Sequence, residues 1–280
     1  MEIRKPKIFQ KIILLLVATG LLFSCEEVIE LDLDRVDPRM VVEANISNQP
    51  GPYTVRLSET TDFYDENNFN PRVGAEVILY DELGNRDTLW EVTPGHYQTT
   101  SIRGMVGLNY TLEIHHEGKT YTASSKMPDQ FNPIDSLIVA YEEESIFRDA
   151  GYYAKVTTQD PEGVDNYYRL KIFVNDKVFI FNQDDADADE YEDNNMYLAT
   201  DQFTDGRYVD FDLSPPLKIG DKVKVELYHI NQGTYDYYRT LLEAAGLGGL
   251  APANPISNFG EQALGNFNAY VVFADSTVVQ

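Results

Sequence analysis

Short runs of alternating apolar and polar residues, turn clusters between them, and one helix-like segment near the C-terminus predict a mostly β fold of two sandwich-like domains. Met40 to Ile46 and Tyr53 to Leu57 are divided by Asn48-Gln49-Pro50-Gly51-Pro52, a cluster that breaks regular structure. In the second run Tyr53, Val55 and Leu57 alternate with Thr54, Arg56 and Ser58, the period of a strand buried on one side. Val77 to Tyr80 and Thr88 to Val92 flank Leu83-Gly84-Asn85 and read as a hairpin. Tyr110, Leu112 and Ile114 alternate before His116-Glu117-Gly118-Lys119 turns the chain into a strand over Thr120 to Ser124. Met127 to Pro133 carries two prolines and marks a boundary, which places one sandwich over 38–128 and a β-rich domain over 129–280.

In the second group Ser136 to Tyr141, Tyr152 to Thr158, Tyr167 to Val174 and Lys177 to Phe181 read as strands, with Asn175-Asp176 as a two-residue turn. Lys222 to Ile230 is the clearest strand, Val223, Val225 and Leu227 on one side and Lys222, Lys224 and Glu226 on the other. A helix is expected at about 234–245, with Thr234 as N-cap, Asp236 in the first turn, and Gly246 as terminator. Its packing face would be Tyr235, Tyr238, Leu242 and Ala245. The glycines and asparagines of Asn254 to Gly260 and Ala263 to Phe267 predict an ordered loop, and Ala269 to Ala274 a last strand. The sandwiches are expected to be of the immunoglobulin-like or transthyretin-like class, and Gly95-His96-Tyr97 with Gly107 to Leu112 resemble the transthyretin-like or carboxypeptidase-regulatory-like type, with the tyrosines as core and corner residues.

The N-terminus reads as an export signal. Arg4, Lys5, Lys7 and Lys11 precede the apolar run Ile12 to Phe23, which is shorter than the ~20 residues a membrane span needs. Leu22-Phe23-Ser24-Cys25 resembles a lipobox, so residues 1–24 are expected to be a signal peptide and the Cys25 sulfur the site of lipid attachment. The alternative is an ordinary secretory peptide followed by a stray cysteine. Two or three acyl chains, at ~0.8 kcal/mol per buried methylene, would hold the protein firmly on a membrane. Cys25 is the only cysteine, so a lipidated chain keeps no thiol for a disulfide, a zinc site or nucleophilic catalysis.

Residues 25–37 read as an acidic tether. Glu26 and Glu27 directly follow the cysteine and resemble the surface-export signal of Bacteroidota lipoproteins; a solvated tether without a sorting role is the alternative. Loss of residues 1–24 removes four cations and Glu2, which moves the formal charge from -24 to -27. Such an excess of carboxylates repels phosphate backbones and argues against nucleic-acid binding.

Signs of catalysis are few. The histidines His96, His115, His116 and His229 form no His-Glu-x-x-His pattern, and His115 and His116 point to opposite faces of one strand. The sequence has no nucleophile elbow, Ser-x-x-Lys motif or phosphate-binding glycine loop, so no catalytic residue is assigned. Asp185, Asp187 and Asp189, within the acidic run 184–193, have a spacing that suits calcium. Glu190 and Met196 stand where an EF-hand needs Gly and Glu, so a solvated loop is the preferred reading, with no metal ligand and no cofactor assigned. The 19 tyrosines include the pairs Tyr152-Tyr153, Tyr167-Tyr168 and Tyr237-Tyr238, which could present rings to sugars or peptides or could pack in cores and on edges. Asp87-Thr88-Leu89, Asp135-Ser136-Leu137 and Asp275-Ser276-Thr277 resemble a short Bacteroidota O-glycosylation sequon.

These segments together resemble a Bacteroidota lipoprotein family, domain of unknown function 4249. The likeness is carried by Cys25-Glu26-Glu27, Pro38 to Ala44, Gly51 to Ser58, Pro133-Ile134-Asp135-Ser136, and Asn254-Pro255 leading to Leu264-Gly265-Asn266-Phe267. Glu261-Gln262-Ala263 stand where the family is usually richer in glycine. The resemblance implies a role beside TonB-dependent outer-membrane receptors and carries over no catalytic residue. The expected function is therefore a non-enzymatic accessory or binding module, lipid-anchored at the outer membrane and exposed at the cell surface. A structural or adhesive surface protein and a hydrolase with an unrecognised site are the alternatives. Ligand and receptor are left open.

Overall fold

The computed structural model describes residues 37–61, 70–146, 149–179, 196–213, 216–244 and 254–280. Cys25, Glu26, Glu27 and the acidic run 184–193 lie outside them. Residues Pro38–Gln280 form one compact unit, mostly β, with one α-helix among the described residues.

The strands, in chain order, are β1 (Met40–Ser47), β2 (Thr54–Glu59), β3 (Asn70–Pro71), β4 (Glu76–Asp81), β5 (Arg86–Thr88), β6 (Trp90–Thr93), β7 (His96–Gln98), β8 (Asn109–His116) and β9 (Lys119–Lys126). They continue as β10 (Ser136–Glu142), β11 (Gly151–Gln159), β12 (Tyr167–Val174), β13 (Lys177–Val178), β14 (Tyr197–Thr200), β15 (Tyr208–Asp212) and β16 (Lys222–Ile230), then helix α1 (Gln232–Ala244) and β17 (Leu264–Val278). One ten-stranded sheet runs β13-β12-β16-β17-β1-β2-β7-β6, with β14 beside β12 and β3 beside β2. A four-stranded sheet (β5-β4-β8-β9) and a three-stranded sheet (β10-β11-β15) complete the architecture.

The alternations read from the sequence become two cores. Val42, Ala44 and Ile46 of β1, Val55 and Leu57 of β2, and Phe267, Ala269 and Val271 of β17 meet Val77, Leu79, Tyr110, Leu112 and Ile114 of the four-stranded sheet. Leu170 and Ile172 of β12 and Val223, Val225 and Leu227 of β16 meet Ala154 and Val156 of the three-stranded sheet. Register joins them: Ala44 pairs with Phe267, Leu227 with Phe273, and Ile172 with Val225, so both small sheets cover the same face of the large one. Each fully buried aliphatic side chain contributes about 1.5–3 kcal/mol, and both sandwiches rest on many of them. The first core draws on residues from Met40 to Met127 and again from Phe259 to Val271, and the second on residues from Ala154 to Val279, so the two interleave along the chain.

Several local expectations are met. Tyr97 and Tyr110 are buried, and each hydroxyl accepts a main-chain N–H, from Ala75 at 3.0 Å and Met105 at 2.6 Å. Asn175 and Asp176 carry φ of 53° and 64°, the left-handed pair that a two-residue hairpin turn requires. The hairpin at Leu83-Gly84-Asn85 is held by Asp81, whose carboxylate accepts the N–H groups of Leu83 (3.0 Å) and Asn85 (2.9 Å).

Others need correction. The strand expected over Thr88 to Val92 is two strands, because the chain leaves the four-stranded sheet at buried Leu89 and β6 joins β7 in the large sheet. The helix begins two residues earlier than expected, with Asn231 as its cap: Asn231 Oδ1 accepts the Thr234 N–H at 2.9 Å. Thr234 is instead a buried contact residue, and Thr234 and Thr240 are the helix residues most fully covered. Ala245 and Gly246 lie outside the described residues. The last strand begins at Leu264, five residues before its expected start, because β1 lies beside it.

Gly265 makes that pairing possible. Its φ is +91°, and a Cβ there would lie 2.0 Å from the Val42 carbonyl oxygen. We expect Gly265→Ala to destabilise the fold by on the order of 3 kcal/mol or more. Gly84→Ala, at φ +90° with nothing within 4 Å, should cost only about 1 kcal/mol. Thermal melts of the two variants check this; equal losses would mean that backbone angle, not strand contact, sets the requirement.

His229 lies where the cores meet, its ring 5.1 Å from Tyr168, 6.0 Å from Phe131 and 6.1 Å from Phe273. Burial pushes its pKa down to about 4, opposed only by the Asn132 carbonyl, to which Nε2 donates at 2.9 Å. The neutral ring is therefore native, and the unfolded chain binds the extra proton between its ordinary pKa and 4. Stability contributed by His229 should fall by about 3 kcal/mol as pH drops through that window. Denaturant melts at pH 7 and pH 4 should lose this component in His229→Gln; an unchanged slope would show that other groups carry the acid sensitivity.

Candidate functional site

The face of the large sheet opposite the two cores is polar and carries α1. Val41, Glu43 and Asn45 of β1, Asn266, Asn268 and Tyr270 of β17, Glu226 and Tyr228 of β16, and Arg169 and Lys171 of β12 fall on it by alternation with the buried residues. Helix α1 packs against β12, β14 and β17, fixed at its first turn by a relay of amides. Thr234 Oγ1 donates to Asn268 Oδ1 at 3.0 Å, so its oxygen accepts from Asn266 Nδ2 at 3.4 Å. This order leaves Asn266 Oδ1 buried and without a hydrogen-bond partner.

Between α1 and the sheet lies a cavity of about 400 Å³ lined by Glu43, Asn45, Arg169, Lys171, Tyr237, Tyr238 and Asn266 with Val41, Ala44, Met196 and Leu241. Its size is in the range of small-molecule sites, and its lining is mostly polar, with a smaller apolar part. Arg169 is the central cation. Its guanidinium lies 4.3 Å from the Tyr238 ring centroid and 5.7 Å from that of Tyr228, and Nη1 donates to the Tyr238 hydroxyl at 2.9 Å. Its Nε is buried without an acceptor, and among the described residues it makes no ion pair. Lys171 stands opposite Glu226, which also accepts from Lys224 at 2.6 Å and from the Tyr228 hydroxyl. Burial raises Glu226, but the Lys224 and Tyr228 contacts outweigh it and hold the carboxyl below its ordinary value. Burial and the Glu226 bond push Tyr228 far up, so it stays a neutral phenol. The site can present a positive charge, aromatic rings and amide oxygens.

A second cluster could hold a metal. Asp160, Asp201 and Asp205 offer carboxylate oxygens all within 4.8 Å of one another, a donor set suited to a hard cation such as calcium. The protein also satisfies them internally. Asp160 accepts from the Tyr168 hydroxyl and from Gly206 N–H at 3.1 Å, Asp201 from Asn166 N–H at 2.9 Å, and Asp205 from Gly163 N–H at 2.7 Å. Burial, then the charges of Asp201 and Asp205, raises the Asp160 carboxyl despite the bonds it accepts. The cluster lies outside the acidic run singled out in the sequence.

The residues noted in the sequence have separate fates. His115 bonds Glu113 at 2.6 Å and Thr120 at 3.0 Å on β8, and His96 Nδ1 lies 3.0 Å from the Pro94 carbonyl. The four histidines do not meet at one site. Of the tyrosine pairs, Tyr153 and Tyr168 are core residues, while Tyr237 and Tyr238 both face the cavity. Asp87 is committed to structure, accepting N–H groups of Thr100 (2.8 Å), Ser101 (2.6 Å) and Ile102 (3.0 Å). Sequence reasoning did not select Arg169, Lys171 or Asn266. The available signal was cations on the outer side of an otherwise apolar strand, and Asn-x-Asn alternation in β17.

No helix among the described residues is long and apolar enough to cross a membrane. None of the curated proteins matches the chain. Among solved structures, the adhesin InvE of Yersinia pseudotuberculosis aligns over 68% of this chain at 16% identity with a TM-score of 0.22. The match spans 55% of that adhesin, about half its length, and is too loose to bear on function. A family model, by contrast, matches residues 26–275, and the chain belongs to the family described as domain of unknown function (DUF4249).

Proposed function

We propose that this protein is a non-enzymatic binding module of the cell envelope. It is tethered through lipid on Cys25, exposed at the outer-membrane surface, and presents the cavity beneath α1 to a ligand destined for a TonB-dependent receptor. The observation that carries the reading is the convergence of Arg169, Tyr237, Tyr238 and Asn266 on one cavity, with hydrogen-bonding capacity on Arg169 and Asn266 unmet by the protein. A buried polar group without a partner costs about 1–3 kcal/mol, so a fold that keeps two beside one cavity favours a ligand there. The lipobox and the acidic pair Glu26-Glu27 support the address. Calcium at Asp160, Asp201 and Asp205 would be an accessory ion, remote in role from the cavity.

The structural or adhesive reading has its own support in β6, an edge strand of the large sheet whose Trp90 and Val92 are 70% and 51% exposed. Such an edge can pair with another chain. A mild-detergent pull-down of the lipidated protein from its own envelope separates the two. Recovery of a stoichiometric outer-membrane receptor is expected; recovery of the protein alone, under conditions that keep other envelope complexes intact, would favour adhesion. Cys25→Ala should move the protein from the membrane fraction to the soluble fraction, because no lipid would then hold it. Membrane retention of that variant would overturn the tether.

A further inference from the structure

We infer that the cavity beneath α1 binds a carboxylate-bearing sugar, an inference that rests on the binding-module reading and names its ligand class. The argument begins with Arg169. The chain has 46 acidic residues against 22 lysines and arginines, so a guanidinium set in a sheet face would ordinarily be met by a carboxylate. Among the described residues none lies within ion-pair distance of Arg169. Its one hydrogen bond uses Nη1, to Tyr238, and the ring contacts at 4.3 and 5.7 Å hold the guanidinium plane in place. Nε has no acceptor within the protein, and the guanidinium lines the cavity, a planar group that a carboxylate matches bidentately. Lys171, two residues along the same face of β12, adds positive charge beside it.

The rest of the lining selects what carries that carboxylate. Asn266 is 6% exposed, and the Thr234–Asn268 relay turns its amide so that Oδ1 is an acceptor without a donor. Asn45, on the same floor, adds a neutral amide. Neutral oxygens of this kind suit hydroxyl donors. An amino acid would bring an ammonium group and need a free carboxylate opposite it, but Glu43 is already paired with Arg56 at 3.4 Å. Tyr237 and Tyr238 put aromatic rings in the lining, a side-chain type suited to the C–H side of a pyranose ring. A volume of about 400 Å³ accommodates one or two sugar units. Anion, aromatic ring and hydroxyl acceptors together describe a uronic-acid type of glycan.

Isothermal titration of the full chain, purified from its envelope in mild detergent, tests this with digalacturonate and its neutral counterpart galactobiose. Digalacturonate is expected to bind and galactobiose to bind at least about tenfold more weakly, the factor a charge-assisted pair confers. Arg169→Met should weaken digalacturonate about tenfold or more, and Arg169→Lys, which keeps the charge but loses the planar edge, should fall between the two. A thermal melt shows that each variant is folded, and the comparison of the two sugars on the unmodified protein stands without any variant. Equal binding of both sugars, or indifference of digalacturonate to Arg169→Met, would overturn the ligand class while leaving a binding cavity in place. Binding of neither sugar alongside receptor recovery in the pull-down would overturn only the ligand class. Binding of neither together with recovery of the protein alone would overturn both readings.

Discussion

The parallel pairing of β1 with β17 is the constraint on which the remaining structure depends. Seven consecutive residues of β1, from Val41 to Ser47, lie beside Leu264 to Tyr270, some 220 positions later in the chain. On its other edge β17 runs antiparallel to β16, so one strand joins the early and late parts of the chain into a single sheet. Gly265 permits this approach at the Val42 carbonyl, and Phe267, Ala269 and Val271 then fill the first core. Without that pairing Glu43 and Arg169 would belong to different sheets and no shared floor would exist beneath α1.

The two faces of the large sheet solve opposite problems. One face buries aliphatic residues against two smaller sheets, which stabilises the fold through area removed from water. The other face carries amides, tyrosines, Arg169 and the Lys171–Glu226 row, and its covering helix buries mainly two threonines. A helix held by the Asn231 cap and the Thr234 relay, rather than by a broad apolar stripe, leaves room between itself and the sheet. Polar attachment therefore preserves a cavity where tighter hydrophobic packing would have closed it.

Much of the fold was legible from period and punctuation. Lys222 to Ile230 coincides with β16, Asn175-Asp176 turns as read, and the alternation of Tyr110, Leu112 and Ile114 gives the buried side of β8. Alternation reports which side of a strand is buried but not which strand lies beside it. That is why the switch of sheets at Leu89 and the long-range partner of β17 were hidden. Asn231 was passed over as a cap because Thr234 is an equally good capping type, and only the direction of the hydrogen bond distinguishes them. The cavity was less legible still: Tyr237 and Tyr238 were noted as a pair, but Arg169 and Asn266 are 97 positions apart and meet only through strand register.

The late position of β17 also governs the order in which the chain can acquire structure. Residues 38–128 could pair β4, β8 and β9 as soon as they emerge during synthesis, since those contacts are local. Their sandwich nevertheless lacks Phe267, Ala269 and Val271 until synthesis has passed residue 271, so the edge of β1 that takes β17 stays unpaired and that part of the core unfilled until then. A topology of such high sequence separation folds slowly and exposes sticky edges meanwhile. The first sandwich is therefore completed only by residues from the end of the chain, whatever its local hairpins have formed by then.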